Sequence, residues 1–195
     1  MRRFRHLLLG MVLAAAMAVP AHALTLQGNT LFTSANEMVI VTFISEEAAF
    51  SDLLFESSPN EMFLFDSNTA VAGQQVNLGS FNAGLELIFR LDTYFRDLQV
   101  AKADGFLASW FSGSGSRNQD GTEHALITFL GNNTYQIGWE DLDFNSPTYD
   151  GDFDDMVITV RGVPFDPVIP EPATLALVGI GLASIGVASR RRNRS

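Results

Sequence analysis

Apolar and polar residues alternate through most of the middle of this chain. Leu85, Leu87, Phe89 and Leu91 interleave with Glu86, Ile88, Arg90 and Asp92; Tyr135, Ile137 and Trp139 interleave with Gln136, Gly138 and Glu140; Met156, Ile158 and Val160 interleave with Val157, Thr159 and Arg161. A period of two over such lengths predicts strands with one buried face. Shorter runs predict further strands at Met38 to Ile44, Glu61 to Phe65, Gln75 to Leu78, Gly105 to Phe111 and Ala125 to Leu130, separated by segments rich in Gly, Asn, Ser and Asp. About eight short strands punctuated in this way predict an all-β fold, an antiparallel β-sandwich or jelly-roll-like single domain. Glu46 to Phe55 reads instead as one short helix or turn.

The pattern changes at both ends. Arg2, Arg3 and Arg5 precede an apolar run from Leu7 to Ala18, then Pro20 and Ala21-His22-Ala23. This is the layout of a secretory signal peptide over residues 1–23, with small residues Ala21 and Ala23 placed for signal peptidase. Ala173 to Ser189 carries no charge, and as a helix it would rise about 26 Å, enough to cross a thin bilayer core. Gly179, Gly181 and Gly186 within it suit lipid better than water. Arg190, Arg191, Arg192 and Arg194 follow, and positive residues flanking a span stay in the cytoplasm. The expected organisation is therefore a signal peptide (1–23), a β-sandwich domain (24–163), a Pro-rich linker (164–172), a single transmembrane helix (173–189) and an Arg-rich cytoplasmic tail (190–195).

Pro170-Glu171-Pro172, a short apolar helix and a terminal Arg cluster, in that order, resemble the PEP-CTERM sorting signal of Gram-negative bacteria. The resemblance implies that exosortase, a membrane-embedded sorting enzyme, recognises Val168 to Arg194 and cuts near the Pro-Glu-Pro. It also implies initial anchoring in the inner membrane and delivery to the cell envelope, outer surface or extracellular matrix. Exosortase and signal peptidase are then the partners during export, and the C-terminal helix is an address removed once it has been read.

Charge and composition narrow the role of the body. Leu24 to Ile169 holds five basic side chains against 21 acidic ones, a formal charge of −16. Such a surface repels nucleic acid and anionic lipid and attracts divalent cations. Cysteine is absent, which excludes disulfides, thiolate zinc sites and cysteine nucleophiles.

The acid is concentrated in "WEDLDFNSPTYDGDFDDMVITV", Trp139 to Val160. Glu140, Asp141, Asp143, Asp150, Asp152, Asp154 and Asp155 fall within 16 residues between two predicted strands. Repulsion in so short a loop is costly unless a cation or water screens it. Hard oxygen ligands without nearby His or Cys suit Ca2+. Asp141, Asp143 and Asn145 match the first three ligand positions of an EF-hand loop and Asp152 the twelfth. Ser146 stands where that loop needs glycine, Pro147 follows, and strands flank the segment, so the expectation is a calcium-binding loop between strands, drawing its ligands from those seven acids and Asn145. A solvated acidic turn without metal is the alternative.

"IGWEDL" and "YDGDFDDMVITV" also resemble the closing signature of a bacterial extracellular domain of unknown function, which runs aromatic-Glu-Asp-Leu and then Gly-Asp-x-Asp-Phe-Asn-Asp before a last strand. Gly113 to Leu130 resembles the segment that precedes it. The resemblance implies Glu140, Asp141, Asp152, Asp154 and Asp155 as ligands.

Catalytic signatures are lacking. His124 is the single histidine outside the predicted signal peptide, near Asp120 and Glu123, but no Gly-x-Ser-x-Gly elbow accompanies it. A contact at a turn or strand edge is its expected role. "GSGSRNQDG", Gly113 to Gly121, reads as a mobile loop. Phe106, Trp110 and Phe111 form either core or a sugar-stacking face. The expected protein is a non-enzymatic, exported, envelope- or exopolysaccharide-associated protein with a structural or adhesive role; the alternatives are a carbohydrate-binding module or a secreted glycan hydrolase using paired carboxylates.

Overall fold

The computed structural model describes residues 24–34, 36–95 and 105–164. The predicted signal peptide, with Ala21 and Ala23, and the predicted transmembrane helix and Arg-rich tail lie outside the described residues. Among the described residues no helix is long and apolar enough to cross a membrane.

Those residues form eleven strands: β1 Leu24–Gln27, β2 Thr30–Thr33, β3 Glu37–Ser45, β4 Ser51–Ser58, β5 Met62–Asp66, β6 Gln75–Phe81, β7 Glu86–Tyr94, β8 Phe106–Phe111, β9 Ala125–Gly131, β10 Thr134–Trp139 and β11 Met156–Pro164. One sheet runs β1-β2-β7-β4-β5, with β8 also paired to β7; the second runs β6-β3-β11-β10-β9. Strand β7 is long enough to serve two neighbours along one edge: its start pairs with β2 at Leu87 and Glu86, its end with β8 from Arg90 to Tyr94. The predicted all-β, two-sheet architecture is the one observed.

The alternating positions point inward as the pattern requires. Leu87, Phe89 and Leu91 of the first sheet meet Val39, Val41, Ile137, Trp139, Ile158 and Val160 of the second in one buried cluster. Trp110 belongs to it, 1% exposed, whereas Phe106 is 51% exposed. The aromatic residues of β8 therefore split between core and surface and make no continuous stacking face.

Two further corrections concern local structure. The short helix or turn expected over Glu46 to Phe55 is instead the approach to β4 and its first half, which pairs with β7 at Ser51↔Tyr94 through Leu54↔Leu91. Gly113 to Gly121 is pinned in place. Asn118, buried, accepts from the Phe111 amide (2.7 Å) and donates to the carbonyls of Phe111 (3.3 Å) and Thr122 (2.7 Å). Arg117 donates to the Ser112 carbonyl and pairs with Glu86.

Two hairpins owe their shape to residues that tolerate positive φ. Gly28 at φ 61° turns β1 into β2, and Asn132 and Asn133 at 49° and 55° turn β9 into β10. Asn29, in the first of these turns, reaches across to β9. Its side chain donates to the Ala125 carbonyl (2.5 Å) and accepts from the Ile127 amide (3.2 Å), closing part of the outer edge of that last strand.

Candidate metal centre

The acidic segment leaves β10 at Trp139 and returns into β11 at Met156, so it starts and ends on adjacent strands of one sheet. Gly138 fixes how closely it folds back. The core residues Tyr135, Ile137 and Trp139 occupy one face of β10; on the other, a Cβ at Gly138 would collide with the Phe153 carbonyl oxygen. Only glycine permits that approach. Phe153 itself bends the loop at φ 59°, a region that costs a non-glycine residue about 1–2 kcal/mol.

Folding back in this way brings carboxylates together in two groups that share Glu140. The inner group is Glu140, Asp141 and Asp155, the first two buried and the third half-buried; the outer is Glu140 with the exposed Asp150 and Asp152. In each group, one oxygen per residue lies within 4.8 Å of the others. Oxygens bound to one calcium at about 2.4 Å stand at most about 4.8 Å apart, so both donor sets fit a single ion. Backbone amides orient them: Glu140 accepts from Gly151 (2.9 Å) and Leu142 (3.3 Å), and Asp155 accepts from Asp141 (2.8 Å).

Three of the residues expected as ligands are placed elsewhere. Asp143 accepts from both the backbone and the side-chain nitrogen of Asn145, so these two close their own turn, and the EF-hand register is not realised. Asp154 joins neither group.

A further buried carboxylate, which the sequence pattern did not single out, lies near Asp141. Asp52, on β4 of the opposite sheet, is 0% exposed, with the Thr93 hydroxyl and the Asp141 carboxyl beside it, and it belongs to neither group. The electrostatics follow from this crowding. Burial, then neighbouring Asp155, pushes Glu140 up to about 7. Burial, reinforced by Asp152 and Asp150 against the opposing Asp141 amide, pushes Asp155 up to about 6. Burial raises Asp52 against the opposing Thr93 hydroxyl, with Asp155 and Glu46 adding to the rise; burial, then Asp52, Asp155 and Glu140, raises Asp141.

A polar latch holds the root of the loop. His124 is buried, stacked on Trp110 with ring centroids 3.8 Å apart. Its Nδ1 meets the Glu140 carbonyl at 2.9 Å and its Nε2 meets Asp120 Oδ2 at 2.9 Å. A carbonyl only accepts, so Nδ1 carries a hydrogen. Trp110 Nε1 donates to the Asp141 carbonyl (2.8 Å). Burial would raise the Asp120 carboxyl, but the amides of Phe144 and Thr122 and the His124 ring outweigh it and hold it below the ordinary carboxylate range. His124 thus holds the Glu140 carbonyl through Nδ1 and Asp120 through Nε2; Asp120 in turn accepts from the Phe144 amide, and Trp110 holds Asp141.

Residues 168–192, beyond the sandwich, match the family model described as the PEP-CTERM protein-sorting motif. The chain carries a PEP-CTERM sorting signal. The match takes in Pro170, Glu171, Pro172, Arg190, Arg191 and Arg192, with Arg194 just past its end. The PEP-CTERM motif indicates a protein targeted by exosortase, exported and sorted to the cell surface. No curated protein and no solved structure is matched by the chain.

Proposed function

We propose that this PEP-CTERM protein serves in the cell envelope or exopolysaccharide matrix as a calcium-stabilised β-sandwich with a non-catalytic, structural or adhesive role. The observation that carries the calcium reading is the inner group, in which Glu140, Asp141 and Asp155 converge within the span of one ion. Carboxylates converging where water is largely excluded repel one another, and a hard divalent cation converts that repulsion into attraction. The resemblance of the closing segment to an extracellular bacterial domain points the same way. Sorting to the surface places the loop where calcium is available in quantity. Anchoring in the inner membrane of a Gram-negative cell before exosortase acts belongs to the same reading. Glycan binding and glycan cleavage gain no specific support, since Trp110 is in the core and His124 is sealed beneath the loop.

Thermal unfolding of the full chain in mild detergent, with chelator or with calcium, tests the reading. At free calcium about 100 times the dissociation constant, one native-state site adds about 2.7 kcal/mol. The melting temperature should then rise by several degrees, with magnesium doing less because it gives up its waters reluctantly. Asp155→Asn should remove most of the rise. A melting temperature unmoved by millimolar calcium would show that the loop is a solvated turn.

A further inference from the structure

Glu37 is a buried acid that the calcium reading does not use. It opens β3 with its side chain turned into the core, is 0% exposed, and neither of its oxygens has a hydrogen-bond partner among the described residues. Ser34 and Asn36, just before it, are exposed, so only a thin cover separates the carboxyl from water. Thr33 fastens that cover. At this end the chain crosses between the sheets twice, from β2 to β3 and from β6 to β7. The Thr33 hydroxyl donates to the Asn82 carbonyl (2.7 Å) and accepts from the Leu85 amide (2.9 Å). Its amide donates to the Leu85 carbonyl (2.9 Å) and its carbonyl accepts from the Gly84 amide (2.6 Å), so the two crossings are clasped together. Phe81, next to Asn82, stands opposite Glu37 in the ladder. Leu24, opposite Thr33, accepts through its carbonyl from the Tyr135 hydroxyl (3.3 Å), which ties the edge strand β1 to the same end.

No charge at this end relieves Glu37. The titratable group on which its own charge acts is Tyr135. Glu86, at the start of β7, pairs with Arg117, and Arg161 of β11 is exposed. The charge acting on Glu56, the inward acid of β4, is Glu61 and not Glu37. A carboxylate with neither donor nor counter-charge is not held in a core, whereas the neutral acid is. Burial alone accordingly pushes Glu37 up to about 8.

We propose that Glu37 is a proton-held latch: as the neutral acid it stays in the core beneath the Thr33 clasp, and as the anion it leaves for water, parting the two crossings and loosening the N-terminal hairpin β1–β2. The opened segment releases this proton in the ordinary carboxylate range, whereas the closed fold keeps it up to about 8. The latch is therefore strongest below the ordinary range and weakens as pH climbs to about 8, the opening equilibrium growing roughly tenfold per pH unit. At a cell surface, where the surroundings set the pH, the hairpin is thereby withheld in acid and released toward alkali. None of the carboxylates of the acidic loop takes part, so the latch does not rest on the calcium reading.

Amide hydrogen exchange read by NMR tests the latch, on the full chain in mild detergent and chelator at pH 6, 7 and 8, corrected for the intrinsic pH dependence of exchange. The amides of Thr33, Gly84 and Leu85 should lose protection by roughly tenfold per pH unit. Glu37→Gln keeps the side-chain volume and removes the titration. Glu37→Met replaces the acid with an apolar chain and serves where an unpaired buried amide prevents folding. In either variant the protection of those amides should no longer depend on pH. Protection independent of pH in the unaltered chain, or a pH dependence at Thr33, Gly84 and Leu85 that survives the substitution, overturns the latch.

Discussion

Replacing Gly138 with alanine tests how the acidic loop is held. The added methyl would fall on the carbonyl oxygen of Phe153 and within ordinary contact of its Cβ. The obstacle is backbone, so relief requires the loop to move rather than a side chain to rotate. Overpacking of this kind costs about 1–3 kcal/mol. Alanine returns about 0.5–1 kcal/mol by restricting the unfolded chain, leaving a net loss of about 1–2 kcal/mol. For a domain of roughly this size a loss of 1 kcal/mol lowers the melting temperature by about 4 °C, so the expected drop is about 4–8 °C in chelator. A second effect is expected at the metal groups. Lifting Phe153 draws Gly151 away from Glu140, to which it donates at 2.9 Å, and the stabilisation by calcium should shrink along with the melting temperature. Differential scanning calorimetry of the variant and the unaltered protein, each with chelator and with calcium, reads both quantities. A variant as stable as the original, with an undiminished calcium response, would show that the close approach at Gly138 holds nothing in place.

In chelator the protein should lose stability as pH rises, the reverse of ordinary acid unfolding. Raised carboxyl groups keep protons in the folded state that the unfolded chain has released, so the advantage is full below the ordinary carboxylate range and is lost as pH climbs to about 6 for Asp155 and about 7 for Glu140. Melting temperatures at pH 5 and pH 8 check the sign, and a higher value at pH 8 would refute it. At the other end of the chain, Glu171→Ala should leave export intact and block exosortase processing, seen by intact mass as retention of Arg190 to Arg194. Loss of that tail despite the substitution would contradict the role given to the Pro-Glu-Pro.

Much of the sandwich was legible because its core positions follow the pleat. From β5 onward, each strand shows its apolar side at alternate residues or as a short apolar run between turns. Strand β4 was illegible for a physical reason: its inward positions are Asp52, Leu54 and Glu56, so the face that should be most apolar carries two acids. A pattern rule that looks for apolar alternation discards such a segment. Strands β1 and β2 are only four residues each, too short to show a period, although Gly28-Asn29 between them is a hairpin signal that could have found them. The crowding of the acidic loop was readable from composition, and its division was not. Asp143 turned to Asn145, whereas Glu140 turned inward, because amides at Gly151 and Leu142 were there to receive it. Asp52 comes near Asp141 through tertiary pairing alone, and no spacing within 139–160 could have disclosed it.

The side chain of Asn29 has a bearing on life at a crowded surface. Strand β9 ends its sheet, and an open edge is a template on which another chain can pair. The Asn29 amide offers that edge one donor and one acceptor, at the Ala125 carbonyl and the Ile127 amide, which are the groups through which an incoming strand would begin. Proteins delivered by one sorting route to one surface meet their own copies at high effective concentration, and there a self-pairing edge would turn a display of separate molecules into a fibre. A single carboxamide, borrowed from a turn of the opposite sheet, stands in for the neighbour that must not arrive.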